Sequence, residues 1–360
     1  MEVDARGLRR ARIRAQRLSG TSRGGAGEVA RAVVGVQAQD RGAAALAMRA
    51  RSGGARARDV ARAWGANGPL VLTWSLRGTR HLHHRDDVRW LLSIFGPMYA
   101  GSSPARNRQL GIAGAAGDRA VRAVRDALRR RGPLTRPQVK EVLARHGLDV
   151  SGQAPIHVLA RAALEGVLCV VPGADDEETY VLLDERVPAS KLPDREDALA
   201  ELARRYLRGY GPATPSDLAA WSGIGRREAD SAWTAIAGQM AEVATPAGAM
   251  WILKRSSRAV AAAARSPAPV RLLPAFDTLL LGYADRTPLV PARFARRVNA
   301  GGGMIRATIL TDDGVVGTWS LRRERDRTPR VEVDPFGRLV PGVRDDLDRE
   351  VRSVARFIGS

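Results

Sequence analysis

The feature that most constrains this chain is a unit that occurs twice. Gly132-Pro133-Leu134-Thr135 and Gly211-Pro212-Ala213-Thr214 each follow an Arg-rich helical run and each open a short amphipathic helix. In both, Thr precedes a Pro-containing first turn, Arg136-Pro137 or Pro215-Ser216, which is the chemistry of a helix N-cap followed by a residue lacking an N–H. The first copy runs through PQVKEVLARHG, with Val139, Val142 and Leu143 at helical spacing and Gly147 at its end, into APIHVLARAALEG, ended by Gly166. The period then shortens to that of strands, and VLCVV and TYVLL flank the polar turn PGADDEE as a hairpin. The second copy repeats this order with DALAELARRYLRGYG, TPSDLAAWSG and READSAWTAIAGQ, followed by MAEVAT, Pro246-Ala247-Gly248 and MWILKR. Helix, helix, helix, hairpin reads as a winged helix-turn-helix.

A third, more divergent copy is legible near the N-terminus, with helices in GEVARAVVG and RARDVARAWGANG and strands in LVLTWSL and GTRHLHH. After residue 266 the pattern changes, and Thr311-Asp312-Asp313-Gly314 marks a turn between two β-rich runs. The expected fold is therefore α+β: about three tandem winged helix-turn-helix modules and a C-terminal β-rich piece carrying a long hairpin, together forming a concave basic channel. The expected divisions are 1–120, 121–190, 191–265 and 266–360. Ser266-Pro267-Ala268-Pro269 is the most linker-like stretch and Gly301-Gly302-Gly303 the most flexible loop. A length of 360 residues agrees with several packed units, since single domains centre on about 100–150.

Charge points to the partner. The chain carries 58 Lys+Arg against 38 Asp+Glu, a formal net charge of +20, and only three of its cations are lysines. Codon usage in a GC-rich genome accounts for Arg over Lys, but not for the excess of positive charge, which favours a polyanion through release of phosphate counterions. Nucleic acid is the expected partner. No apolar window approaches the roughly 18 residues of a membrane span, and the N-terminus lacks an apolar signal core, so a cytoplasmic, nucleoid-associated protein is expected, with no membrane partner. The single cysteine, Cys169, leaves no intramolecular disulfide or Cys-based zinc cage.

Familiar catalytic constellations are sparse. His81, His83 and His84 with Asp86 and Asp87 lack the spacing of a zinc helix, and read as a basic strand end near phosphate, so no metal is expected. Cys169 lies in an apolar strand, where burial would make it inert. Gly301–Gly303 has no following Lys-Ser/Thr and is no phosphate loop. One segment is unusual: Val36-Gln37-Ala38-Gln39-Asp40 at the end of an apolar helix. Residues two apart lie about 200° apart on a helix but on the same side of an extended chain. For both glutamines to act on one target, the chain must leave helical geometry near Gly35. The alternative is a polar pair that caps or solvates a helix end.

The blocks VQAQD, TWSLRGTRHL, RYLRGYGPATPSDLAAWSG, LLPAFDTLLLGYADR and TDDGVVGTWSLRR, in that order and spread over nearly the whole chain, resemble the winged-helix DNA glycosylases of the helix-turn-helix 42 superfamily. Gln-Ala-Gln, where other branches place a carboxylate at the second position, is most similar to the AlkZ-like branch that unhooks azinomycin B interstrand crosslinks. The resemblance implies hydrolysis of the N-glycosidic bond of N7-alkylated purines, with Gln37 and Gln39 as the catalytic pair, duplex DNA as partner, no cofactor and a monomeric enzyme.

Chemistry supports that implication independently. Alkylation at N7 makes the base cationic, so it departs neutral and needs no general acid. An amide cannot take a proton near neutral pH, but its oxygen can accept a hydrogen bond from water and orient attack on C1′, while its dipole faces the developing oxocarbenium ion. An unmodified base would call for a carboxylate and an acid. Asp40 faces away from both glutamines on an extended segment and is read as a supporting residue. No lysine lies near the glutamines in sequence, so no Schiff base is expected and the product is an abasic site in an intact strand.

A base tied to the opposite strand cannot rotate into a deep pocket, so the enzyme must bring its site to the DNA. The DNA-binding candidates are Asp312, Asp313 and Gly314 at the hairpin turn, Arg322 and Arg323 at its base, and Arg77 and His83. The arginines are equally compatible with plain phosphate binding. Two other functions fit a basic helix-turn-helix chain: a transcriptional regulator, which would prefer one operator, and a lesion-binding protein without chemistry.

Overall fold

The computed structural model of the chain describes residues 1–20, 24–174, 177–322 and 329–360. Helix and sheet are mixed, and the chain forms two compact units: Met1–Ala61 together with Leu199–Ser360, and Arg62–Ala198.

The first unit begins with α1 (Ala5–Ala15), capped by Asp4, whose carboxylate accepts from the Gly7 N–H at 2.7 Å. Leu8, Ala11 and Ile13 are buried, as is the charged Arg12. Then follow α2 (Ala26–Ala32), the two-residue strand β1 (Val36–Gln37), α3 (Arg41–Arg51) and α4 (Ala57–Trp64), within which the unit boundary falls.

The second unit contains β2 (Leu70–Trp74), β3 (Arg80–His84), α5 (Arg85–Tyr99), α6 (Pro104–Gln109), α7 (Ala115–Arg131), β4 (Leu134–Thr135), α8 (Arg136–Arg145), α9 (Ala154–Leu164), β5 (Leu168–Pro172) and β6 (Glu178–Leu182). Within it the strands pair antiparallel in the order β3, β2, β5, β6, β4. Thr135 caps α8 in a box with Gln138, and Pro137 lies in the first turn, as the repeated motif requires. Val71, Val88, Leu92, Cys169, Val181, Leu183 and Val187 make one core cluster. Burial there pushes the Cys169 thiol up to about 12, so it stays protonated and unreactive.

The chain returns to the first unit through α10 (Arg195–Tyr210), α11 (Pro215–Ser222), α12 (Arg226–Ala235), β7 (Met240–Thr245), β8 (Gly248–Leu253) and α13 (Ser257–Arg265). Thr214 and Asp217 form the capping box of α11. The β7–β8 hairpin presents Val243, Met250 and Ile252 to Leu8 and Ala11 of α1 and Val260 of α13. Ser266–Pro269 joins two elements of the same unit, α13 and β9 (Arg271–Leu273). Beyond lie α14 (Thr278–Leu281), α15 (Ala295–Val298), β10 (Asn299–Gly301), β11 (Met304–Ile305), β12 (Thr308–Thr311), β13 (Gly314–Arg322) and β14 (Arg330–Pro335). Gly301 to Gly303 form the β10–β11 turn, and a four-stranded antiparallel sheet runs β14, β13, β12, β9.

The β-rich reading of the last segment omitted its longest element, α16 (Pro341–Ile358). Pro341 occupies its first turn, and the buried Leu347, Glu350, Val354 and Phe357 fall on one helical face. Many intervening charges mask that stripe in a composition-based reading.

Candidate active site

The glutamine segment is shaped by a break between α2 and β1. Val34 takes φ +58° and Gly35 φ +108°, two successive residues in the left-handed region. Glycine tolerates that region, whereas a β-branched valine is held there only by surrounding structure, at a cost of about 1–3 kcal/mol. The break ends helical geometry and delivers Val36 and Gln37 as extended chain.

Gln37 and Gln39 consequently face the same side, and Gln37 Nε2 donates to Gln39 Oε1 at 2.7 Å. Gln37 is only 8 % exposed, Ala38 between them is fully buried, and Gln39 reaches solvent. The two amides are thus in series, with an inner one that orients an outer one. A carbonyl oxygen has two lone pairs, so Gln39 Oε1 can hold Gln37 and still accept from a water. Asp40 acts locally: it is the N-cap of α3 and accepts from the Ala43 N–H at 2.9 Å.

A buried polar framework holds the break. Tyr210 Oη donates to the carbonyl of Val33 at 2.9 Å, one residue before the strained Val34, and accepts from Trp221 Nε1 at 3.0 Å. Its ring stacks on Tyr206 at 4.8 Å between centroids, and Tyr283 Oη donates to the Tyr210 carbonyl. Gln16 Nε2 donates to the Gly209 carbonyl at 2.7 Å, while Gln16 Oε1 accepts from Arg51 and from Thr278. Arg51 and Asp277 form a bidentate pair at 2.7 and 2.8 Å with both side chains fully buried. Nearby, Arg12 lies 3.7 Å from the Tyr283 ring centroid and 3.6 Å from Asp217.

These supporting residues were not among the candidates read from sequence, although RYLRGYG and LLPAFD contain three of them. The signal was a polar residue at the end of an otherwise buried helical pattern, as at Gln16 after α1 and Arg51 at the end of α3. Such a pattern marks a residue with a partner without saying which.

The remaining candidates are dispersed. Asp312 accepts two hydrogen bonds from Arg10, at 2.6 and 2.5 Å, and one from the Ala268 N–H, while Asp313 pairs with Arg6 at 2.6 Å. Burial raises the Asp312 carboxyl, but these donors outweigh it and hold the group below its ordinary value. Gly314, with φ +101°, starts β13 against the Leu289 backbone. Arg322 is at the opposite end of β13, opposite Arg330 of β14, exposed and 3.1 Å from Glu332. The structure does not gather it with the 312–314 turn, and Arg323 lies outside the described residues. His83 is buried in β3, with Nε2 2.7 Å from Ser75 Oγ and its ring stacked on His81. Burial, reinforced by His83 and Arg77, holds His81 well below its ordinary value and neutral. Arg77 occupies the turn between β2 and β3 at φ +54°.

The family model described as DNA glycosylase AlkZ-like matches residues 30–357. The interstrand DNA cross-link repair glycosylase of Streptomyces sahachiroi is 27 % identical over 359 residues, covering 97 % of this chain and 95 % of that protein. The solved structure of Streptomyces sahachiroi DNA glycosylase AlkZ aligns with a TM-score of 0.84 at 26 % identity, covering 100 % of this chain and 98 % of the other.

Proposed function

Because the chain belongs to the AlkZ-like DNA glycosylase family, we propose that it removes cationic N7-alkylpurines from duplex DNA, including those that tie two strands together. It is a DNA glycosylase, and the relative over nearly its whole length is named for interstrand cross-link repair. The observation that carries the chemical reading is the contact between Gln37 and Gln39.

In this reading the outer amide of Gln39 orients water, and Gln37 fixes Gln39. The water oxygen bonds to C1′ as the C1′–N9 bond breaks. The bonding pair neutralises the imidazolium ring of the leaving base, and the water loses one proton to solvent. No protein group must ionise, and positioning with the amide dipoles stabilises the oxocarbenium-like transition state.

We further read 121–190 and 191–265 as winged-helix modules, the first 120 residues as a divergent module carrying the glutamines, and 266–360 as the C-terminal piece. Arg77 and Arg322 contact backbone phosphate in this reading, and Asp312, Asp313 and Gly314 fix the turn that begins β13. Among the described residues no helix is long and apolar enough to cross a membrane. The enzyme acts as a monomer on nucleoid DNA.

The test is base release from N7-methylguanine DNA and from azinomycin-crosslinked DNA, read as alkali-labile cleavage on denaturing gels. Gln37→Ala and Gln39→Ala should retain duplex affinity and lose release. Gln39→Glu should retain far more activity than Gln39→Ala, because its carboxylate still accepts from Gln37 Nε2. Full activity in the double alanine variant refutes the assignment. Binding without any abasic product points to a lesion-binding protein, and preference for one operator to a regulator.

A further inference from the structure

The second unit contains a cleft of about 420 Å³ that the glutamine chemistry does not use. Its walls include Trp74, Arg77, Tyr99, Asn107, His157 and Arg161, all within that unit. The volume is in the range of small-ligand sites, about 300–1,000 Å³.

Three kinds of group meet there. Tyr99 is half-buried and lies over Gly78, where a Cβ would stand 3.3 Å from the ring. Trp74 is nearly buried, with the Arg80 guanidinium 5.4 Å from its ring, and Arg80 is in turn paired with Glu178 at 2.5 Å. These aromatics are fixed in place. Asn107 and His157 supply neutral hydrogen-bonding edges: burial, with Arg106 nearby, lowers the His157 pKa and favours the neutral imidazole, one donor and one acceptor. Two cations also line the cleft. Arg161 is bound by Asp118 and Glu165. Arg77 is held at φ +54°, ahead of Gly78 at φ +68°, in a turn that costs about 1–3 kcal/mol for a residue with a Cβ. Strain of this kind is retained where a side chain must be aimed.

A fixed aromatic wall, a neutral edge with paired donors and acceptors, and one aimed guanidinium match a nucleobase joined to a phosphate. Bases stack on aromatic rings, amide and imidazole groups bond to base edges, and guanidinium binds phosphate oxygens. We propose that this cleft is a subsite for a single unpaired nucleotide, its base against Tyr99 and its phosphate at Arg77. The same chemistry is offered by a free nucleotide and by a nucleotide displaced from a duplex. The inference rests on the action on DNA proposed above, but not on the role of the glutamines.

The test uses the full-length protein. Calorimetric titration with deoxyguanosine monophosphate should show binding, with deoxyguanosine and inorganic phosphate each at least about tenfold weaker. Arg77→Gly suits the left-handed turn and so keeps the fold, which a thermal melt checks; it should weaken nucleotide binding at least about tenfold. Tyr99→Leu should do the same, and Tyr99→Phe should not. A duplex with one bulged nucleotide, compared with a paired duplex by anisotropy, separates the sources. Preference for the bulge, lost in Arg77→Gly, identifies a displaced nucleotide. Monophosphate binding without that preference identifies a free one. The proposal is overturned if neither binds, if inorganic phosphate binds as tightly as the nucleotide, or if both Arg77→Gly and Tyr99→Leu bind normally. Since Gln37→Ala tests the chemistry separately, base release with no nucleotide binding rejects only the subsite.

Discussion

Removing one oxygen atom from Tyr210 tests whether the framework beneath the glutamines positions them. Tyr210→Phe keeps the ring in its stack with Tyr206 and its contact with Trp221, whose centroids lie 4.8 and 5.0 Å away. What disappears is one donor and one acceptor: the bond to the Val33 carbonyl and the bond from Trp221 Nε1. Tyr210 and Trp221 are buried, and losing a buried partner costs about 1–3 kcal/mol per group, so the pair implies about 2–6 kcal/mol. Urea denaturation should show that loss as a lower midpoint at unchanged slope.

The catalytic consequence is separate. With its carbonyl released, Val33 no longer fixes the entry to Val34, whose left-handed backbone is unfavourable by about 1–3 kcal/mol, and the break can relax. Gln37 lies three residues further on. Misplacement by about 1 Å can cost on the order of 100-fold in rate. Single-turnover base release by Tyr210→Phe, measured where the protein remains folded, should fall about 10- to 100-fold. Unchanged stability would refute the energetics of the two bonds, and a normal rate in a destabilised protein would refute the positioning role.

Other substitutions probe the same structure at different depths. Arg51→Met or Asp277→Asn leaves one member of a fully buried pair without its partner and should destabilise by about 3–5 kcal/mol in chemical denaturation, whereas Arg51→Met with Asp277→Leu should cost far less than the sum. Arg322→Ala should lower the salt dependence of duplex binding by about one counterion, measured as the slope of log affinity against log salt, and an unchanged slope places it off the DNA. Asp312→Asn should reduce stability at neutral pH, with the difference from wild type vanishing in acid. The sign follows from a folded-state pKa below the unfolded one: the contribution is full above about pH 4 and is lost as pH falls through the lowered value.

How much of this was legible in the sequence depends on whether the determining interaction was local. Thr135 and Thr214 each announce a helix start because a cap and its partner are three residues apart. The departure from helix near Gly35 was legible for the same reason, since glycine's freedom and a two-residue spacing are local facts. That Val34 would share the left-handed turn was not, because nothing in a valine's own preferences puts it there. Its neighbour Val33 is held from a distance, by the hydroxyl of Tyr210, which lies 177 positions further along the chain. The α16 stripe was obscured by charges on the solvent side. The destination of Asp312 was similarly hidden, since a turn motif says that Asp312 and Asp313 bend the chain but not that Arg10 and Arg6 wait opposite.

The same distinction reconciles the proposed neutral catalytic pair with a chain of net charge +20. A guanidinium left in the core near the glutamines would oppose the positive charge that grows on the sugar. The buried arginines of the first unit are matched: Arg51 by Asp277, Arg49 by Glu350 and Arg12 by Asp217. Each pair removes a charge from the interior while fixing two elements together. The surplus of cations belongs instead to the surface, where it can meet phosphate at long range. Recognition and chemistry therefore place opposite demands on charge, and the fold separates them by burial. A variant that unmatches one interior arginine, such as Asp277→Asn, should then lose base release more than duplex affinity, because the unmatched charge opposes the movement of positive charge from base to sugar, whereas duplex affinity is set mainly at the phosphates.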